Sequence, residues 1–252
     1  STYGVEYSEP ILPYTVKSLV VFFSMLALTE SAAQAQVVPV AATPAPAQAS
    51  TAATDSLAQR GAAPDPGQAP DVLKLNQQHV PVDNCWISVS KKYNIPTYLL
   101  FSIAMVESSL NSTARNTNTN GSVDHGYMQI NDWWFPKLAT YNIRPTDLQN
   151  PCVSIHVGAW ILAQNFYQMG YNWKAIGAYN ARDPYKRWVY AQKVYAMHDM
   201  LTKWSDAYHK AYLDKNGTSP PHVPKPPAAW VKYAQSNAAH LIKTGGRASI
   251  SP

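Results

Sequence analysis

Residues 107–131 read ESSLNSTARNTNTNGSVDHGYMQIN, a polar stretch bounded by a glutamate and by GYMQIN. Glu107 is the only glutamate beyond residue 30, so any chemistry needing a carboxylic acid on a long stem falls to it. It closes the apolar run YLLFSIAMVESSL immediately before polar residues begin. A carboxyl at that junction can lie half in a core and half in a cleft. Desolvation there favours the neutral form, so the acid remains a proton donor near neutral pH. That is what protonation of a glycosidic oxygen requires. Taken alone, a helical glutamate is ordinarily a solvated surface residue. Asp124, 17 positions on, is a second carboxylate. It can stabilise an oxocarbenium ion or act as a nucleophile, or it can serve an Asx-type loop bond or a salt bridge.

Metal chemistry finds no support. The chain has no CxxC and no HExxH, and its seven histidines are scattered. Neither a structural nor a catalytic zinc is expected, and no other metal or organic cofactor is implied.

The elements that must position these residues read as helical. After Ile95-Pro96-Thr97, Leu99, Ile103, Val106 and Leu110 share one helical face. Residues 111–124 cannot extend that face and predict a loop or short hairpin turning at Asn120-Gly121. A helix is expected over 151–169, opened by Pro151, with Cys152, Ile155, Ala159, Leu162 and Phe166 on one face and Gly170 as its cap. A shorter helix fits 173–179, and another near 185–204 aligns Tyr190, Val194, Met197, Leu201 and Trp204. The fold class is mainly α, with a small β element near 121–130.

The ends differ in composition. Lys17, the apolar run SLVVFFSMLAL and Ala33-Gln34-Ala35 form a secretory signal pattern, cleaved before Gln36. A membrane span would need about 20 apolar residues. Residues 36–82 begin as an Ala/Pro-rich tether that buries too little apolar surface to order itself. The compact domain is placed at 83–204, and 205–252 is read as a basic, proline-containing tail. Within that tail SPPHVPKPPAA is a hinge, and Trp230, Ala234, Ala238 and Leu241 line one face of a short helix or belong to a frayed terminus. Because composition breaks at the hinge, the tail is expected to recruit partners and to be dispensable for the chemistry.

Two cysteines, Cys85 and Cys152, survive export, and an even count in an oxidising compartment implies one disulfide. Removing residues 1–35 takes away one lysine and three glutamates, which leaves 19 basic against 12 acidic residues, a net +7. Such a chain is drawn to polyanions such as cell-wall polymer or anionic lipid. Its basic residues are dispersed and carry no recognition motif, so nucleic acid is not an expected partner.

Glu107-Ser108, Gly126-Tyr127-Met128-Gln129 and Ala178-Tyr179-Asn180 together resemble, in order and spacing, the three signatures of the soluble-type, lysozyme-like lytic transglycosylases. The resemblance spans roughly 84–197. Cys85-Trp86, NPC at 150–152 and VGAWILAQN at 157–165 are similar to the specialised members that serve type III and type IV secretion and conjugation machines. The resemblance implies a lysozyme-like fold and peptidoglycan as substrate. It makes Glu107 the single catalytic acid, puts Met128 and Gln129 on the glycan groove, and has Tyr179 and Asn180 support the acid and hold the sugar. Ser108 and Tyr127 join the substrate-binding set. Met128 and Tyr179 are equally suited to a core. Tyr127, Trp133 and Trp134 offer apolar faces to sugar rings, with at least one of them expected in the core.

The expected activity is cleavage of the β-1,4 bond between N-acetylmuramic acid and N-acetylglucosamine, with a 1,6-anhydro product. The stretch 107–131 also resembles animal-type lysozyme, which pairs a Glu with a later Asp; that reading makes Glu107 and Asp124 a hydrolase. A non-catalytic wall-binding assembly protein is the third reading. The periplasm is the expected location, with secretion or conjugation components as partners through the tail.

Overall fold

The computed structural model describes residues 81–220 and 224–246, together with Gly67. The expected signal segment 1–35 and nearly all of the linker 36–82 lie outside the described residues. Helix α1 (Val82–Tyr93) leads into α2 (Thr97–Ser108), which carries Glu107 in its last turn. A three-stranded antiparallel sheet follows: β1 (Arg115–Thr117), β2 (Val123–His125) and β3 (Ile130–Asn131), in that spatial order. A 3₁₀ turn at Asp132–Trp134, short helix α3 (Phe135–Ala139) and a second 3₁₀ turn at Pro145–Gln149 lead to α4 (Pro151–Met169). Then come α5 (Trp173–Gly177), the long α6 (Pro184–Asn216) and α7 (Ala228–Lys243).

Helix α4 is the axis. Asn150 caps it, its side chain accepting from the Cys152 and Val153 amides, and Pro151 occupies the first turn. Every residue from Cys152 to Ala163 is buried, as expected of a helix that is apolar nearly all round. The middle of α2 is buried in the same way, from Leu99 to Met105 with only Phe101 partly exposed. Cys85 and Cys152 form a disulfide that ties α1 to the start of α4.

The polar stretch forms the sheet. Asn118 and Gly121 close the β1–β2 turn, where the Gly121 amide donates to the Asn118 carbonyl and Gly121 takes φ 84°. Asp124 faces Asn116 on one side and Asn131 on the other in register.

Two expectations are corrected here. The helix placed over 173–179 ends at Gly177, because the chain must turn against α6: a Cβ on Gly177 would lie 2.5 Å from the Arg187 carbonyl oxygen. The helix placed near 185–204 runs on to Asn216, so the boundary at 204 falls inside one element. No glycine or proline interrupts it before Gly217, which caps it at φ 71°. Beyond that boundary, Ser205 is buried and hydrogen-bonded at 2.5 Å to the Tyr98 hydroxyl of α2. Helix α7 then folds back along α6, with Ala234 and Ala238 buried against it. The helical alternative for the tail is the one observed.

Closing a loop over a sequence separation of 67 residues stabilises the chain by about 4 kcal/mol in the chain-entropy account. Labelling of the denatured, unreduced protein with a thiol reagent is expected to find no free cysteine. The double variant Cys85→Ser/Cys152→Ser should unfold at clearly lower urea concentration, and an unchanged midpoint would contradict this account.

Candidate active site

Glu107 occupies the last turn of α2, where Ser109 in the left-handed region (φ 52°) ends the helix. Its side chain keeps some exposed surface, but its carboxyl is largely withdrawn from water. Burial pushes its pKa up to about 8, and the charge of Asp124 adds to the rise. A hydrogen bond from Tyr190 and the charge of Lys193 pull the other way. The Tyr190 hydroxyl donates to Oε1 at 2.5 Å. Both Tyr190 and Tyr179, whose rings stack with centroids 6.5 Å apart, have pKa values raised well above the ordinary, chiefly by burial and further by Glu107. Both phenols therefore remain donors throughout the range in which the carboxyl titrates.

The loop Gly126–Gln129 forms a floor fixed from several sides. The Ser108 hydroxyl, one residue past the acid, donates to the Tyr127 carbonyl at 2.8 Å. From α4, Ser154 accepts from the Met128 amide at 3.1 Å, while the Tyr179 hydroxyl donates to the Met128 carbonyl at 2.8 Å. Gln129 donates through Nε2 to the carbonyls of Gly126 (2.9 Å) and Ala114 (3.2 Å), and its Oε1 accepts from Asn116 at 2.8 Å. This holds Gln129 at φ 45°, a left-handed conformation that costs a non-glycine residue about 1–3 kcal/mol. Gly126 is obligatory: at φ 73° its Cβ would fall 2.3 Å from the Leu148 carbonyl oxygen.

Two residues expected on the groove, Met128 and Gln129, are buried in the loop. Met128 is fully buried, lying so close to Gly158 of α4 that a Cβ there would meet it at 2.7 Å. Gln129 is 7% exposed and spends its amide on the loop. Both shape the floor from beneath because the loop's own polar groups have to be satisfied before it can present anything. Tyr127 and Tyr179 are both half-buried, the Tyr179 hydroxyl being turned inward to the Met128 carbonyl, and Asn180 is exposed.

Asp124 is held by amides. Asn131 Nδ2 donates to its Oδ1 at 2.7 Å and Asn118 Nδ2 to its Oδ2 at 3.0 Å. Neighbouring Val123 donates its amide to Asp132 at 3.0 Å. Among the three aromatics, Trp134 packs edge-on against buried Trp160 and belongs with the core. Trp133 is 61% exposed and lies under the Arg182 guanidinium, 5.0 Å from the ring centroid. Among the described residues, no group of three His, Cys, Asp or Glu comes together to hold a metal.

The sequence matches the transglycosylase SLT domain over residues 84–196. It is 38% identical over 122 residues to Protein IpgF of Shigella flexneri, covering 46% of this chain and 80% of that protein. It is 42% identical over 105 residues to Invasion protein IagB of Salmonella typhimurium, covering 41% of this chain and 66% of the relative. An Escherichia coli X polypeptide is 34% identical over 125 residues, with 47% and 74% covered. The chain belongs to the SLT family of lytic transglycosylases. The matched span holds Glu107, Asp124, Tyr179 and Tyr190, and it ends within α6.

Tyr190 and the three asparagines are what sequence reasoning missed in this transglycosylase site. Tyr190 fell on the apolar face of its helix, and nothing in periodicity distinguishes a core tyrosine from one whose hydroxyl reaches a carboxylate. Asn116, Asn118 and Asn131 flank Asp124 at strand spacing, a signal visible only once the sheet register is known.

A carboxyl raised from 4.5 to about 8 binds its proton more tightly in the folded chain than in the unfolded one. Its contribution to stability is therefore fully present below the unfolded value and is lost as pH rises through the folded one. Urea melts of wild type and Glu107→Gln are expected to diverge over this window. From pH 4.5 to 8 the wild type should lose stability on the order of a few kcal/mol relative to the variant. Parallel pH dependences would mean that Glu107 titrates normally.

Proposed function

We propose that this protein cleaves the β-1,4 bond between N-acetylmuramic acid and N-acetylglucosamine in peptidoglycan and releases a 1,6-anhydromuramic product. The observation that carries the reading is the withdrawn carboxyl of Glu107, protonated near neutral pH and oriented by Tyr190. In the first step the Glu107 proton passes to the glycosidic oxygen as its bond to the muramic C1 breaks, which leaves positive charge spread over C1 and the ring oxygen. In the second, the Glu107 carboxylate takes the proton of the muramic C6 hydroxyl while that oxygen bonds to C1. The acid is thereby restored, and no water enters the product. Acid and base are the same group at successive moments, which suits a pKa close to the operating pH.

Asp124 supports this reading over hydrolysis. Both of its oxygens accept amide hydrogen bonds, so it is less free to attack C1 or to activate water. Its charge still reaches Glu107, and the same field favours an oxocarbenium-like centre. That electrostatic link is also what keeps the two-carboxylate hydrolase as the second reading. Trp133 supplies an exposed ring for a sugar, Asn180 and Tyr127 supply polar groups along the groove, and Ser108 contributes by fixing the Tyr127 carbonyl.

The similarity to an invasion protein supports a task at an envelope-spanning apparatus. The enzyme would act in the periplasm, after export, by opening the wall locally for a secretion or conjugation machine. Contacts with components of that machine, which the composition break assigns to the tail, would fall to the exposed side of α7.

Glu107→Gln keeps shape and hydrogen bonding but carries no titratable proton. Cleavage of purified peptidoglycan should fall by roughly 10²–10⁴-fold. Asp124→Asn should fall less, because the C6 hydroxyl is already delivered within the substrate. Digestion in ¹⁸O-water separates the chemistries: unlabelled anhydro ends are expected. Labelled reducing ends, with a folded but inactive Asp124→Asn variant, would make the enzyme a hydrolase, and a wild type that releases no fragments would make it a binding protein.

A further inference from the structure

We infer that residues 224–246 are a positioning element of the active site, a strap that holds α2 and α6 at the separation the Glu107–Tyr190 contact needs. The inference rests on Glu107 being the acid, as proposed above. The strap lies wholly beyond the span 84–196 that matches the family.

Its contacts fall on both helices that supply the pair. Near its start, a second apolar cluster unites Met105 of α2, Met197, Met200 and Leu201 of α6, and Ala234 of α7. Phe101, Val106, Leu110, Trp204, Trp230 and Val231 pack against it. Met105, Val106 and Leu110 bracket Glu107 in sequence, so the acid's own turn is part of the surface the strap covers. Lys225 adds a polar tie, donating from Nζ to the carbonyl of Ser109, the cap residue of α2, at 3.1 Å. A cation there also suits the negative end of the helix dipole. The entry of the strap is fixed by the Trp204 indole, which donates to the Pro224 carbonyl at 3.2 Å, and by Trp204 and Trp230, whose rings lie 5.7 Å apart.

At the other end, Leu241 packs on the main core. Gly246, at φ 74°, approaches so closely that a Cβ would meet Gln192 at 2.5 Å and Trp188 at 2.8 Å. Those two residues flank Tyr190 along α6. The strap therefore touches the acid's helix at one end and the tyrosine's helix segment at the other. A hydrogen bond of 2.5 Å between α2 and α6 tolerates little relative movement of the two helices. On this inference the tail is not dispensable for the chemistry.

The contacts of the strap fall on α2 and α6, so loosening it should act first on the acid and less on the groove residues 115–133 and 179–182. Burial sets the acid's state first, with Tyr190, Asp124 and Lys193 as the neighbouring groups that shift it, and water admitted among them favours the carboxylate. Two full-length variants test this: Trp230→Ala at one end and Gly246→Val at the other, with Trp230→Phe as the conservative control. All are checked by circular dichroism and assayed on purified peptidoglycan from pH 5 to 9. Expected are a kcat lowered by roughly ten- to a hundred-fold, KM little changed, and loss of activity with rising pH beginning at lower pH than in wild type. Trp230→Phe should restore both. Folded variants with wild-type kcat and an unmoved pH limb would overturn the strap. If Trp230→Ala fails to fold, Gly246→Val decides the matter alone. An inactive wild type, or a fully active Glu107→Gln, would instead remove the proposed function on which the strap rests.

Discussion

A carboxyl can hold its proton in neutral solution only if water is kept from its charged form, and the protein around Glu107 is organised by that constraint. The side chain must reach the groove, yet its carboxyl must be surrounded by apolar side chains and un-ionised phenols. An α-helix that ends where the core ends provides both: α2 is buried along its middle and stops at Ser108, one residue after the acid. Burial alone would push the acid too far, because a group that never ionises cannot serve as a base. Tyr190 opposes the shift by bonding the carboxylate, and Lys193 does so from solvent. The result is a value of about 8, within reach of both protonation states.

The same constraint explains why the floor is built from within. Met128, Gln129 and Ser154 are buried, and the Tyr179 hydroxyl is turned inward. They settle the polar groups of a loop that passes beneath the acid, and they hold Gln129 in a conformation it would otherwise avoid. Ser108 connects this floor to the acid by one hydrogen bond, so movement of the loop is movement of the turn that carries Glu107. An active site fixed in this way pays for its rigidity in backbone strain and in amides that no substrate can use.

Much of the scaffold was legible because its signals are local. Pro96, Pro151 and Gly170 mark helix ends for steric reasons, and the apolar spacing of α2 and α4 survives burial on nearly all sides. Glu107 stood out by scarcity, and Asn120-Gly121 marked the turn that folds the polar stretch into a sheet. What escaped is tertiary. Tyr190 lies 83 residues from its carboxylate partner, and the amides on Asp124 depend on strand register. The length of α6 escaped for a different reason: beyond Trp204 the helix carries no apolar face to betray it, and of residues 205–216 only Ser205 is buried.

That return bears on how such an enzyme is confined to one place. A wall-cleaving domain is hazardous wherever it is fully assembled, and here assembly extends past the span shared with the family. The strap packs on the acid's own helix, and on the proposal above it is thereby coupled to the chemistry. Its outer side, including Tyr233 at 55% exposure, is solvent-facing while its inner side holds α2 and α6. On the strap proposal, a binding event on the outer side would reach the Glu107–Tyr190 contact through the packing of α7 on α2 and α6. Coupling of this kind follows from packing alone, since close-packed side chains transmit displacement rather than damp it. The composition break that makes the tail look like an appendage is, on this account, a hinge that lets the chain turn back and reach its own active site.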